Sequence, residues 1–234
     1  VPPPLGYAAL TQPTVASLTN MSDTPTILVA DDHPMFRSAI VHALNAAISG
    51  CRVLEVSSQS TLEACLAVEP DIDLVLLDLT MPGAIGFSSL LWLRAERPDL
   101  PVLVISSDDR PRTVRRAQQF GAAGFVPKAA PVEDVNKAVQ RVLDGGLWFE
   151  STRAERSEQD AALAARFAQL TPQQFRVLML LAEGLLNKQI ADRLGLAENT
   201  VKIHVTAVLS KLDCRSRTQA AVLVKSLDLE EGSP

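Results

Sequence analysis

Cysteine is scarce in this chain of 234 residues: Cys51, Cys65 and Cys214 are the three present, and none stands at a CxxC or Cys/His metal spacing. An odd set of unpatterned thiols argues against a disulfide framework and a zinc site, and fits a reducing cytoplasm. Long apolar runs are missing too. No stretch approaches the roughly 20 residues that cross a bilayer as a helix, so a soluble protein without a membrane partner is expected. A GxxxxGK[ST] loop and a GxGxxG turn are absent, which leaves a nucleotide-binding reading without its phosphate cradle. The first twenty residues hold no charged side chain and open Val1-Pro2-Pro3-Pro4, without the basic start of a secretory signal. With Met21-Ser22-Asp23 leading straight into the first strand, residues 1–24 read as a disordered extension upstream of the folded protein.

What is present divides into two unlike parts. Apolar residues make up 47% of the chain, enough for two small cores. Residues 21–148 carry 11 Lys/Arg against 16 Asp/Glu, a net of −5, whereas residues 171–227 carry 8 against 4, a net of +4. A basic C-terminal module in an acidic chain points to nucleic acid.

Four short apolar runs each end in a polar residue. Ile27-Leu28-Val29-Ala30 runs into Asp31-Asp32, Leu74-Val75-Leu76-Leu77 into Asp78, Val102-Leu103-Val104-Ile105 into Ser106, and Phe125-Val126-Pro127 into Lys128. A further strand is expected at residues 52–56, and helical patterns separate the strands, at about 34–48, 61–68 with Ser60 as cap, around Leu90-Leu91-Leu93, 111–120 and 131–144. Such alternation predicts a doubly wound α/β domain on a five-stranded parallel sheet over residues 25–148. The carboxyl ends of parallel strands line one crevice, so three carboxylates, a hydroxyl and an ammonium converge there.

That set suits phosphoryl transfer to a carboxylate. Two anions must approach one another, so a magnesium ion and a lysine are needed to offset the charge. Asp32 and Asp78 supply direct ligands for Mg2+ and Asp31 holds a coordinated water. Lys128 pairs with the incoming phosphoryl group and Ser106 bonds one of its oxygens. Taken singly, an Asp-Asp pair or a strand-terminal lysine more often marks a solvated loop.

Residues 149–169, rich in Glu, Arg, Ser and Ala, read as a linker with some helical tendency, and Leu163 and Phe167 as an apolar pair able to dock. Thr171-Pro172 then opens the first of four amphipathic helices, at about 172–183, 187–194, 198–212 and 216–227. In this small all-α domain, residues 170–228, Asn187 to Leu194 form a short helix, Gly195 the turn, and Asn199 onward the next helix. A helix–Gly turn–helix at this spacing is the architecture that sets a second helix in the DNA major groove. Val201, Val205, Val208 and Leu212 form its buried stripe, which leaves Lys202, Ile203 and Thr206 for bases. A helical bundle without DNA contact has the same outline. Residues 229–234 are expected to be a disordered tail.

Asp31-Asp32, Asp78-Leu79-Thr80-Met81-Pro82-Gly83, Ser106 and Gly124-Phe125-Val126-Pro127-Lys128 resemble the flavodoxin-like receiver domain of bacterial two-component response regulators. The resemblance implies that a sensor histidine kinase phosphorylates Asp78, that Mg2+ is required with the backbone carbonyl of Thr80 as a further ligand, and that Ser106 and Phe125 are a switch pair. Leu170-Thr171-Pro172, Glu183-Gly184-Leu185, Asn187 to Ala191, Asn199 to His204 and Arg215 to Thr218 resemble the LuxR-type helix-turn-helix domain, and together the parts resemble the NarL/FixJ class. That class implies Lys202, Ile203 and Thr206 at bases and Lys188, Thr200, His204, Lys211 and Arg217 near phosphates. It also implies a homodimer on activation through Ala220, Leu223, Val224 and Leu227, double-stranded promoter DNA as ligand and RNA polymerase as a further candidate partner. The chain departs from the pattern at Ser107, Ala129, Gln174, Ala197 and Thr206.

The leading expectation is therefore a transcription regulator, not an enzyme. The alternatives are an aspartyl-phosphate enzyme or flavodoxin-like nucleotide-binding protein using the same crevice, and a DNA-binding regulator indifferent to phosphorylation. Thr80 stands where an enzyme of the first kind would need a second acid, two residues beyond Asp78.

Overall fold

The computed structural model describes residues 24–149 and 157–229. The first 23 residues and the last five, expected to be disordered, lie outside the described set. Five strands, β1 (Thr26–Ala30), β2 (Arg52–Val56), β3 (Leu74–Leu77), β4 (Val102–Ser106) and β5 (Gly124–Pro127), pair in parallel in the order β2-β1-β3-β4-β5. All residues of β1, β3 and β4 are buried, as continuous Val/Ile/Leu runs require when both faces of a sheet are covered.

Alternation of side chains splits those runs between two cores. Ile27, Val29, Leu74, Leu76, Leu103 and Ile105 face α1 (Pro34–Ala47) and α5 (Val132–Leu143), while Leu28, Ala30, Val75, Leu77, Val102 and Val104 face α2 (Gln59–Val68), α3 (Ser88–Glu96) and α4 (Pro111–Gln119). Each fully buried Leu or Val contributes on the order of 2 kcal/mol by leaving water. The strand order reverses between β1 and β3, so the crevice opens beyond their carboxyl ends.

Ser157 caps α6 (Glu158–Phe167), followed by α7 (Pro172–Ala182), α8 (Asn187–Leu194), α9 (Glu198–Lys211) and α10 (Arg217–Lys225). The expected helical tendency of the linker is a full helix, and Phe167 docks on Phe175 of α7 with ring centroids 6.1 Å apart. The core on the α2–α4 face continues without a break into this helical unit through Trp92, Phe167, Phe175, Val224 and Leu227. Among the described residues no helix is long and apolar enough to cross a membrane.

One boundary needs correction. Helix α2 starts at Gln59 and is capped by Ser58, not Ser60: the Thr61 amide donates to Ser58 Oγ at 3.3 Å and the Ser58 amide donates to Thr61 Oγ1 at 3.1 Å. Several hydroxyls in a row obscure which one closes the capping box.

Candidate phosphoryl-acceptor crevice and nucleic-acid interface

Asp78 directly follows β3 at the bottom of the crevice, 1% exposed, with its amide bonded to the Ala30 carbonyl of the neighbouring strand at 2.8 Å. Its Oδ2 accepts hydrogen bonds from Lys128 Nζ at 2.8 Å and Thr80 Oγ1 at 2.9 Å. Lys128 leaves β5 and also reaches Asp31 Oδ2 at 2.7 Å, with its ammonium 5.0 Å from the centre of the Phe36 ring. Burial works against its charge, but its close contacts with the Asp31 and Asp78 carboxylates, and their negative charge, prevail and raise its pKa above the ordinary lysine value. The ammonium therefore persists at any physiological pH.

Asp31 and Asp32 follow β1 directly. Asp31 is held by the His33 amide, which donates to Oδ1 at 2.7 Å. His33 Nδ1 lies 2.8 Å from Asp32 Oδ1, and the ligating atoms of Asp31, Asp32, His33 and Asp78 all fall within 4.8 Å of one another. Asp31 Oδ2 and Asp32 Oδ1 are buried, 2.7 Å from Lys128 Nζ and 2.8 Å from His33 Nδ1 respectively, with no well-angled hydrogen bond. Buried carboxylate lone pairs left over in this way fit a hard, oxygen-seeking cation, and Mg2+ suits the set.

Ser106 ends β4 fully buried, and its Oγ accepts the Asp108 amide at 3.1 Å. Phe125, on the adjacent strand and 4% exposed, pairs with Val104, so the hydroxyl and the ring lie on neighbouring strands. Of the crevice residues named from sequence, Asp31, Asp78 and Lys128 are in direct contact, Asp32 joins them through His33, and Ser106 stands one strand away. Thr80 presents its amide and hydroxyl to Asp78. Sequence reasoning missed His33, although it directly follows the acidic pair, and Phe36, which lies on the helix that follows. It also missed Asp108, which no strand pattern marks.

On the second unit, Gly195 takes φ +64 and turns α8 into α9. Val201, Val208 and Leu212 are fully buried and Val205 partly so, while Lys202 and Thr206 are exposed and Ile203 is 64% exposed. Thr206 Oγ1 donates to the Lys202 carbonyl at 3.0 Å, and Lys202 Nζ lies 3.6 Å from Glu198. Lys188 is exposed, and Thr200 and His204 are half-buried.

Three of the expected contact groups also engage within the chain. Lys211 is engaged within the domain, donating to the Gln169 carbonyl at 2.8 Å and to Gln174 Oε1 at 2.7 Å, so it braces the start of α7. Arg217 likewise donates to the Leu185 carbonyl. The apolar face of α10 is closed: Ala220, Val224 and Leu227 are fully buried inside this chain, Leu223 is partly buried, and Val222 is 63% exposed. A nine-residue helix has one apolar stripe, and this one is needed against α7 to complete the domain's own core.

Residues 27–140 match the family model described as response regulator receiver domain, and residues 168–224 match that of bacterial regulatory proteins, luxR family. The glycerol metabolism activator of Pseudomonas putida is 36% identical over 211 residues, covering 86% of this chain and 96% of that protein. The nitrate/nitrite response regulator protein NarL of Escherichia coli is 35% identical over 209 residues, covering 85% and 94%. A solved structure of the Salmonella typhimurium RcsB response regulator superposes with a TM-score of 0.50 at 22% identity, covering 87% of this chain and 98% of that one, a likeness of fold.

Proposed function

This chain belongs to the NarL/FixJ-type response regulators of the LuxR family, and from that premise we propose that it is a cytoplasmic transcription regulator that accepts a phosphoryl group on Asp78 and then binds promoter DNA as a dimer. One observation carries this reading: Asp31, Asp78 and Lys128 meet at the carboxyl ends of three strands, in a chain whose second unit leaves Lys202, Ile203 and Thr206 exposed on a helix beyond a glycine turn. Membership in a family of regulators sets aside the enzyme alternative.

The donor is a phosphohistidine of a sensor kinase. A carboxylate oxygen of Asp78 forms a bond to phosphorus as the phosphorus–nitrogen bond breaks, and the imidazole leaves with the bonding electron pair. Lys128, already charged and already aimed at Asp78, balances the phosphoryl oxygens without reorganisation. Asp31, Asp32 and Asp78, with the Thr80 carbonyl, would hold Mg2+, which supplies charge neutralisation between carboxylates and phosphoryl group. Ser106 gives up the Asp108 amide and turns its hydroxyl to the phosphoryl group, and Phe125 follows.

For DNA, Lys202, Ile203 and Thr206 read base edges and Lys188, Thr200 and His204 lie near phosphates. Dimerisation through α10 uses Val222 and Leu223, the part of its surface that its own core leaves open. RNA polymerase is the partner of a bound activator. The acceptor is tested by Asp78→Asn, which removes charge but little volume: the variant should fold and lose acid-stable, base-labile label from a small-molecule phosphodonor. Label at the wild-type level in that variant would overturn the assignment.

A further inference from the structure

Two arginines of the receiver line one groove and have no acidic partner among the described residues. The groove lies between α3, α4 and α6, beside the loops that enter β4 and β5, at the end of the sheet opposite the phosphorylation crevice. Its volume is about 720 Å3, within the ~300–1,000 Å3 of small-molecule sites. The buried Leu91 and Phe120 line it from the receiver, and α6 lines it with alanines from Ala161 to Ala168. Arg94 and Arg115 bring two positive charges, and no carboxylate is among the lining residues.

Arg94, in the last turn of α3, is partly buried and donates to the Leu100 carbonyl at 2.9 Å and to the Pro98 carbonyl. Its side chain runs past Gly121, which holds φ +88; a side-chain carbon there would come within 3.3 Å of Arg94 Nε, so glycine leaves the guanidinium its place in the groove. Burial lowers its pKa, and the charge of Asp99, which forms no ion pair with it, offsets this only in part. The Arg115 guanidinium, also partly buried, makes no hydrogen bond or ion pair with a described residue. Other cations of the receiver are matched: Arg37 with Glu55, Arg52 with Glu69 and Lys137 with Asp134. A cation drawn partly out of water against apolar surface calls for an anion close by.

We propose that this groove binds a small amphipathic carboxylic acid, with its carboxylate on Arg115 and Arg94 and its apolar body along the alanines of α6. A guanidinium offers paired N–H donors that match the two oxygens of a carboxylate. From Ala161 to Ala168 the helix rises about 10 Å, at ~1.5 Å per residue, which suits the extended tail of a medium-chain fatty acid. Alanine side chains leave that face shallow enough for the tail to lie between α6 and α4. The ligand touches the receiver and the second unit at once, and its binding does not depend on the chemistry at Asp78.

Octanoate titrated into the full chain tests this by calorimetry and by the methyl resonances of the α6 alanines. It should bind one to one with a Kd tighter than about 1 mM and shift those methyls. Octanol keeps only the tail and acetate only the charge, so each should bind more weakly by about tenfold or more, as loss of a charge-assisted hydrogen bond or of the buried chain requires. Arg115→Gln should weaken octanoate by about tenfold and leave octanol within roughly twofold. Ala165→Phe, at an exposed position, should fill the groove and weaken both. No saturable shift of the α6 methyls by octanoate in the wild-type chain would overturn the site. Octanol or acetate binding as tightly as octanoate would overturn the amphipathic acid as its ligand. Octanoate affinity untouched by either variant would show a site elsewhere and overturn the assignment to this groove.

Discussion

Lys202 and Lys188 are both exposed cations, yet they stand on different helices of the DNA-binding unit, α9 and α8. A lysine in the major groove bonds guanine O6 or N7, whereas one at a phosphate carries no sequence information. Lys202→Ala should therefore cost about 1–3 kcal/mol and relax discrimination at one base pair, and Lys188→Ala should weaken all sequences alike and reduce the salt slope by about one. Titrations across salt on specific and scrambled DNA separate the two, and identical behaviour would refute the assignment of α9. Asp108 offers a pH test. Hydrogen bonds from Arg110 hold its carboxyl below its ordinary value, against the opposing effect of burial, and Thr113 assists. A depressed pKa stabilises the fold above the unfolded value near ~3.9 and ceases to do so as pH falls through the lower folded value. Thermal unfolding of Asp108→Asn should thus lie below wild type at neutral pH and converge with it in acid; a constant gap would exclude the ionised carboxylate as the cause.

Helix α9 starts without a side-chain cap, since Ala197 stands at the N-cap with extended backbone. Ala197→Ser should gain about 1 kcal/mol, read as a higher unfolding midpoint of the second unit, and an unchanged midpoint would show that the helix end is already held by other means. Ala197 and the buried stripe of Val201, Val208 and Leu212 were legible from residue type and spacing, as were the strands that deliver Asp31, Asp78, Ser106 and Lys128. Hydrophobic period and turn residues are local signals. The destination of Lys211 was not legible, because its partners Gln169 and Gln174 are distant in sequence and meet it only when α7 crosses α9. Nor was the fate of α10: an apolar stripe looks the same whether a second copy or its own domain covers it. Gln174 appeared only as a departure, yet its amide closes the capping box with Thr171 while receiving Lys211.

At the scale of the molecule, the receiver and the DNA-binding unit share one continuous core, extended by an ion pair between Arg176 of α7 and Glu63 of α2 at 3.3 Å. Arg176 is partly exposed, so that pair adds little stability, about 0–1 kcal/mol; the buried aromatic and aliphatic contacts hold the units together. A chemical event at Asp78 should therefore reach the DNA-binding unit through packed structure. The central claim is that this event changes DNA binding. The most direct measurement is the affinity of the full chain for a promoter fragment with paired half-sites, with and without a small-molecule phosphodonor and Mg2+, for wild type and Asp78→Asn. The phosphodonor should tighten wild-type binding by about fivefold or more and leave Asp78→Asn unchanged. Equal wild-type affinity under both conditions, or tightening that survives in Asp78→Asn, would contradict the account.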